Sequence, residues 1–279
     1  MTPFEVATPL GRITGLRRRG QGPRVLALHG WLDNAASFVP LAAHLDGIDL
    51  AAPDLPGHGG SAHLPPGADY SFAGALHAVL DIADALGWER FSLLGHSMGA
   101  GIASLVAAGC PDRVERLVAI EALGALAEVP ERTVARLREA VAATRALAGK
   151  QLRVFPDLEP AVRARMRAND LTEPVARLLV ERGVVAVDGG WTWSSDPRLT
   201  LPTMVRMTEA QVADLVAGIE CPTRVVYASP PQPYFPEPLR SKRVALLPAG
   251  DCVVLEGSHH VHMEDPLAVA DAMGGFLAG

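Results

Sequence analysis

The chain has 279 residues, 49% of them hydrophobic and 20% charged, with a net charge of -6. This is the make-up of one large folded domain with room for an inserted subdomain, and it excludes a disordered chain. No apolar run approaches the roughly 20 residues that span a bilayer, and the basic residues make no cluster beyond Arg17–Arg19, so neither a membrane nor a nucleic acid is the expected partner.

In chain order, the N-terminus lacks the apolar core of a secretory signal, which implies a cytoplasmic protein. Two short β-segments, Phe4–Ala7 and Ile13–Leu16, flank a tight turn and form a hairpin at a sheet edge. Apolar runs too short for helices then recur at Val25–Leu28, Leu50–Ala52, Phe91–Leu94, Leu117–Ile120, Val225–Tyr227 and Val253–Leu255. Helical segments alternate with them, at about Asn34–Leu45, Phe72–Leu86 and Met98–Ala108. This alternation predicts an α/β fold with a mostly parallel central sheet flanked by helices.

The alternation stops between residues 124 and 208. That stretch reads as an inserted helical cap over the C-terminal edge of the sheet, leaving 1–123 and 209–279 as the core. Val134, Leu137 and Val141 lie at helical spacing, followed by helices near Ala161–Ala168 and Pro174–Arg182. An irregular "VDGGWTWSSDPRLTLP" comes next, and a capping box at Thr208 and Gln211 leads back to the sheet. Ligands bind at that edge in open parallel sheets. Pro230–Pro238, with five prolines, is an extended loop. The three cysteines, Cys110, Cys221 and Cys252, have no metal-ligand or disulfide spacing and are expected as buried free thiols.

One stretch carries chemistry. "LLGHSMGAG" places Ser97 in a G-x-S-x-G pattern that composition alone would give roughly once in ten such chains. Its weight comes from context, because a strand precedes it and a helix follows, which is the setting of a nucleophile elbow. The helix N-terminus offers the Met98 N–H and a positive dipole end to a developing oxyanion. A second donor is expected from the Trp31 N–H, in the turn after Val25–Leu28. Three histidines crowd "EGSHHVHMEDP" after the last strand. Position favours His259 as general base, then His260, then His262; a metal cluster of the three is a competing reading, and no metal or cofactor is expected. His29, His58 and His96 read as turn-satisfying groups.

Taken together, "HGWLDN", "DLPGHGGS", "GHSMG" and "GSHHVHMEDP" resemble the α/β-hydrolase family over nearly the whole chain. The closest resemblance is to its serine-hydrolase-like, MEST-type capped esterases, which also show something similar to "WTWSSDPRL". The resemblance implies a cofactor-free serine hydrolase acting on a small-molecule carboxylic ester, with Ser97 and His259 in the acyl-transfer roles. It also implies that Asp54 stabilises a turn. In the family the acid usually follows the strand near Thr223–Tyr227, but here that loop holds Pro230, Pro231 and Gln232. Some relatives place the acid after the preceding strand, where Glu121 stands; Glu237, Asp54 and Glu264 share the alternative. His29, Trp191, Trp193, Tyr234 and Phe235 are candidate substrate contacts, and the aromatics among them read equally as glue between cap and core. The competing functions are a lactone or thioester hydrolase and a non-catalytic member that binds a small molecule under the cap. The oligomeric state is not legible in the sequence.

Overall fold

The computed structural model describes residues 1–147 and 152–279. Among the described residues ten strands form: β1 Thr2–Thr8, β2 Gly11–Arg18, β3 Arg24–Leu28, β4 Asp49–Pro53, β5 Phe91–His96, β6 Val114–Ile120, β7 Val184–Val187, β8 Gly190–Trp193, β9 Thr223–Ser229 and β10 Gly250–Glu256. The helices are α1 Val39–Ala42, α2 Phe72–Ala85, α3 Met98–Gly109, α4 Thr133–Leu147, α5 Glu159–Asn169, α6 Glu173–Gly183, α7 Glu209–Ala217, α8 Leu239–Val244, α9 Val261–Glu264 and α10 Pro266–Met273.

Eight strands make one sheet in the order β1-β2-β4-β3-β5-β6-β9-β10. The β1–β2 hairpin stands at the edge, β2 pairs antiparallel with β4, and the remaining pairings are parallel. All six apolar runs of the sequence are strands; in the five that lie in β3, β4, β5, β6 and β9 alternate side chains find an apolar layer on opposite faces, whereas Val254 of the edge strand β10 is exposed. Leu26, Leu28, Leu93, Leu117 and Tyr227 face the layer built with α2, α3 and α7. Val25, Ala27, Leu94, Val118 and Val226 face the layer built with α1 and α10.

Three expectations are corrected. The helix expected over Asn34–Leu45 is a 3-10 turn, Ala35–Phe38, followed by the short α1. Pro40 has no N–H to return to Ala36, which breaks the continuous ladder there. The "irregular" segment holds the β7–β8 hairpin, turned by Gly189 and Gly190 at positive φ. Of the cysteines only Cys221 is buried; Cys110 is half-buried and Cys252 exposed.

Between β6 and β9, helices α5 and α6 pack a separate apolar cluster around Phe155, Val162, Val175 and Leu179. In α4 the Val134, Leu137 and Val141 stripe faces outward and Ala140 is the buried residue. The Thr208–Gln211 capping box is formed at the start of α7. Among the ties that fasten this inserted segment to the core, Arg182 donates to both carboxylate oxygens of Asp54 (2.9 and 2.8 Å), and the Asn34 amide donates to the Leu179 carbonyl (2.8 Å). Asp54 also accepts from Thr14, Ala35 and Gly60, so it is the hub of its turn. Among the described residues no helix is long and apolar enough to cross a membrane.

Candidate active site

The C-terminal ends of β3, β5, β6 and β10 converge on one place. Ser97 sits between β5 and α3 with φ 52 and ψ -116, the sharp turn foreseen from the sequence. Its N–H donates to the Ile120 carbonyl and its carbonyl accepts from Gly101 (2.8 and 3.1 Å), so the turn is held from both sides. The flanking glycines are required by close approach rather than by φ. A Cβ on Gly99 would lie 1.9 Å from the Leu28 carbonyl oxygen, and one on Gly95 would lie 2.5 Å from the Ala100 Cα. Backbone atoms of the neighbouring strand and helix cannot yield as a side chain would. Gly99→Ala is therefore expected to lower Tm by about 6 °C or more, through overpacking of at least about 3 kcal/mol; an unchanged melting curve contradicts this packing.

His259 Nε2 lies 2.9 Å from Ser97 Oγ, and His259 Nδ1 lies 2.9 Å from Glu121 Oε2. Glu121 is 2% exposed and adopts φ 61 just past β6. Its N–H donates to the Val226 carbonyl (2.9 Å), carrying the strand pairing one residue further. Oε1 accepts from the Ala228 N–H (2.6 Å) and from the Arg240 guanidinium (3.1 Å). The buried carboxylate thus has a cation and two backbone or ring donors, which offset the cost of removing it from water. The other carboxylates considered are engaged elsewhere: Asp54 with Arg182, Glu237 with Ser241, and Glu264 with Thr172.

Sequence reasoning missed Arg240. It is 2% exposed, donates to the Phe235 and Ala228 carbonyls, and lies over the Tyr227 ring at 4.5 Å. Its signal was one of the two arginines in "EPLRSKR", which nothing local separates from solvated ones.

The Trp31 and Met98 backbone N–H groups donate no hydrogen bond among the described residues. The Trp31 indole is half exposed and donates to the Leu199 carbonyl of the inserted segment (2.8 Å). Tyr234 is also exposed, its ring 6.3 Å from that of His259. Two candidate substrate contacts are corrected. His29 is fully buried, with Nδ1–H donating to Gly30 and Nε2 accepting from Leu55 (2.8 and 3.0 Å), so neither ring nitrogen is free for a ligand. Phe235 is 3% exposed and packs on Tyr227 and Arg243 in the core. Trp193 packs edge-on against Phe155, and Trp191 exchanges two backbone hydrogen bonds with Phe155. Both contacts lie within the inserted segment.

Behind the relay lies a buried group of imidazoles. His96 Nε2 donates to the His259 carbonyl (2.8 Å), and His260 Nε2 lies 3.2 Å from Asp33 Oδ2. Arg165 of α5 pairs with Asp33 Oδ1. Burial tends to raise the Asp33 carboxyl, but His260 and Arg165 outweigh it and hold it well below the usual carboxylate range. Burial lowers His29, lowers His58 to about 3 with help from His29, lowers His96 to about 4, and lowers His262 well below its ordinary value.

These four rings fold neutral, whereas in the unfolded chain each takes a proton below about pH 6.5. The unfolded state then binds more protons, so stability is present above that pH and is lost as pH falls. Unfolding free energy is expected to drop by up to about 5 kcal/mol between about pH 7.5 and about pH 5.5, at about 1.4 kcal/mol per ring for the interval. Urea midpoints at the two pH values measure it; a midpoint no lower at the acid end contradicts the neutral assignment.

A hydroxyl bound to an imidazole, itself bound to a buried carboxylate, can make a nucleophile and move its proton. A profile of the alpha/beta hydrolase fold family matches residues 23–165. A serine hydrolase-like protein of Dictyostelium discoideum is 30% identical over 98% of this chain and 81% of its own length. Among solved structures, a hypothetical protein of Pseudomonas aeruginosa PAO1 superposes with a TM-score of 0.92 at 39% identity over 100% of both chains. The thioesterase domain from the curacin biosynthetic pathway superposes with a TM-score of 0.83 at 25% identity, covering 97% of this chain and 98% of that one. The chain belongs to the α/β-hydrolase family and, within it, is similar to the serine hydrolase-like proteins.

Proposed function

We propose that the protein is a serine hydrolase that cleaves small carboxylic esters through an acyl-enzyme on Ser97. The observation that carries this reading is the continuous Ser97–His259–Glu121 relay, with 2.9 Å at both links. In the first half-reaction His259 Nε2 accepts the Ser97 proton as Oγ attacks the ester carbonyl. The new oxyanion sits between the Met98 and Trp31 N–H groups, and the positive end of α3 favours it. Collapse breaks the bond to the alcohol, which leaves with the proton from His259. In the second half-reaction water gives its proton to His259 and attacks the acyl carbon, releasing acid and free Ser97.

Glu121 holds the Nδ1–H tautomer and stabilises the imidazolium that forms in each half. Exposed Trp31 and Tyr234 flank the mouth and supply apolar surface for the acyl or alcohol group. Residues 124–208 act as the cap. The same chemistry serves a thioester, in keeping with the likeness to a thioesterase domain.

The test is hydrolysis of acetate, butyrate and octanoate p-nitrophenyl esters by the purified protein. Turnover of at least one is expected, with His259→Ala losing it by at least about 10³-fold. A folded protein that cleaves none of the three sinks the ester reading.

A further inference from the structure

The polar group behind the relay has an electrostatic anomaly that the acyl-transfer chemistry does not use. His96 Nε2 faces the carbonyl oxygen of His259 at 2.8 Å, so Nε2 carries the ring proton. In the neutral ring Nδ1 is then a bare lone pair. Yet Nδ1 is fully buried, has no hydrogen-bond partner, and faces the Asp33 carboxylate with 3.6 Å to Oδ2. Two acceptors face each other with no donor between them. Gly30 keeps the approach open: a Cβ there would lie 2.8 Å from Asp33 Oδ2 and 2.9 Å from His96 Nδ1. On the other side His260 Nε2 lies 3.2 Å from the same oxygen, and the His260 Nδ1 is also buried and unpartnered.

We propose that Asp33, His96 and His260 form a binding site for a divalent transition-metal ion, distinct from the Ser97–His259–Glu121 relay. Their donor atoms all lie within 4.8 Å of one another. Two ligands about 2.0–2.1 Å from a tetrahedral ion are about 3.3–3.4 Å apart, which matches the 3.2 and 3.6 Å separations from Asp33 Oδ2. Two imidazoles and one carboxylate suit Zn²⁺ or Co²⁺ rather than the all-oxygen preference of Ca²⁺ or Mg²⁺. On binding, His260 shifts its proton from Nε2 to Nδ1, so that Nε2 becomes the ligand and no net proton is released. A small cavity at the seam between core and inserted segment, lined by Asp33, Asn34, Arg165, Trp193 and Ser195, reaches the site from its Asp33 side.

Arg165 sets the strength. Its guanidinium already holds Asp33 Oδ1, and an ion on Oδ2 adds two positive charges beside it. The site is therefore a weak, reversible one that competes with the Arg165 tie. The site adjoins the relay: His96 precedes Ser97 and holds the His259 carbonyl, and His260 follows His259.

The experiment is calorimetric titration of Zn²⁺ into the metal-free protein, paired with the visible absorption of bound Co²⁺, which reads binding whether or not the protein is an esterase. One ion per chain is expected. Asp33→Asn and His260→Gln are each expected to weaken binding by more than about tenfold, and Arg165→Gln to tighten it by about tenfold. The Arg165 variant keeps the test decisive if the others fail to fold: its gain is read on protein whose melting curve shows it folded at the titration temperature, since unfolded His and Cys also bind Zn²⁺. Failure of Arg165→Gln to bind more tightly overturns the proposal. So does an affinity that Asp33→Asn and His260→Gln leave intact, and so does one lost in Glu121→Gln, which places the ion on the relay, or in Cys252→Ser, which places it on the exposed thiol.

Discussion

Ser97→Ala is expected to lower kcat on any ester the protein cleaves by at least about 10³-fold, a loss of about 4 kcal/mol of transition-state stabilisation. The same variant is expected to melt close to the wild-type temperature. Ser97 makes no side-chain cap to α3, and the elbow is held by backbone bonds from Ile120 and Gly101, which alanine retains. The two readouts separate chemistry from architecture. A variant with near wild-type kcat contradicts a nucleophilic Ser97, and one that loses activity only because it unfolds contradicts the account of the elbow.

Glu121→Gln is expected to cost about 10²- to 10⁴-fold in kcat, for a reason specific to this site. The glutamate accepts on both sides: Oε1 from the Ala228 N–H and Arg240, Oε2 from His259. An amide has one oxygen and one nitrogen to offer. Ala228 and Arg240 can only donate, so the oxygen turns to them and the NH₂ turns to His259. Nδ1 must then accept, the ring proton moves to Nε2, and the imidazole can no longer take a proton from Ser97. Arg240 also loses its anionic partner in the interior, which costs roughly 3–5 kcal/mol when one member of a buried pair is removed. A kcat within about tenfold of wild type, in a protein that still folds, shows that the orienting acid lies elsewhere.

The sheet was legible because its central strands, β3, β4, β5, β6 and β9, are buried on both faces and therefore appear as short continuous apolar runs. The elbow was legible because steric demand at Gly95 and Gly99 leaves a pattern within five residues. The acid was less so. It required noticing that prolines fill the loop after β9, and that a glutamate ending an apolar strand needs buried partners. Ser97, His259 and Glu121, singled out from the sequence, are the three residues that hydrogen-bond in series.

What escaped was contact across long separations. Arg240 lies 119 residues from Glu121, and Arg165 lies 132 from Asp33. A buried arginine of this kind has the same local sequence as a solvated one. The β7–β8 hairpin escaped because four valine- and alanine-rich residues at the end of α6 continue its apolar pattern, and only pairing with Gly190–Trp193 makes them a strand. His29 and Phe235 were misplaced for the opposite reason, since proximity in sequence to the site does not show which way a side chain turns.

The central claim is that Ser97 is an activated nucleophile, and the most direct measurement is the position of a covalent adduct. The folded protein is incubated with a fluorophosphonate, digested, and its peptides analysed by mass spectrometry. One phosphonyl group per chain is expected on Ser97, formed at a rate that falls by at least about 10³-fold in His259→Ala. No adduct, or an adduct on another residue with Ser97 unmodified, contradicts the account.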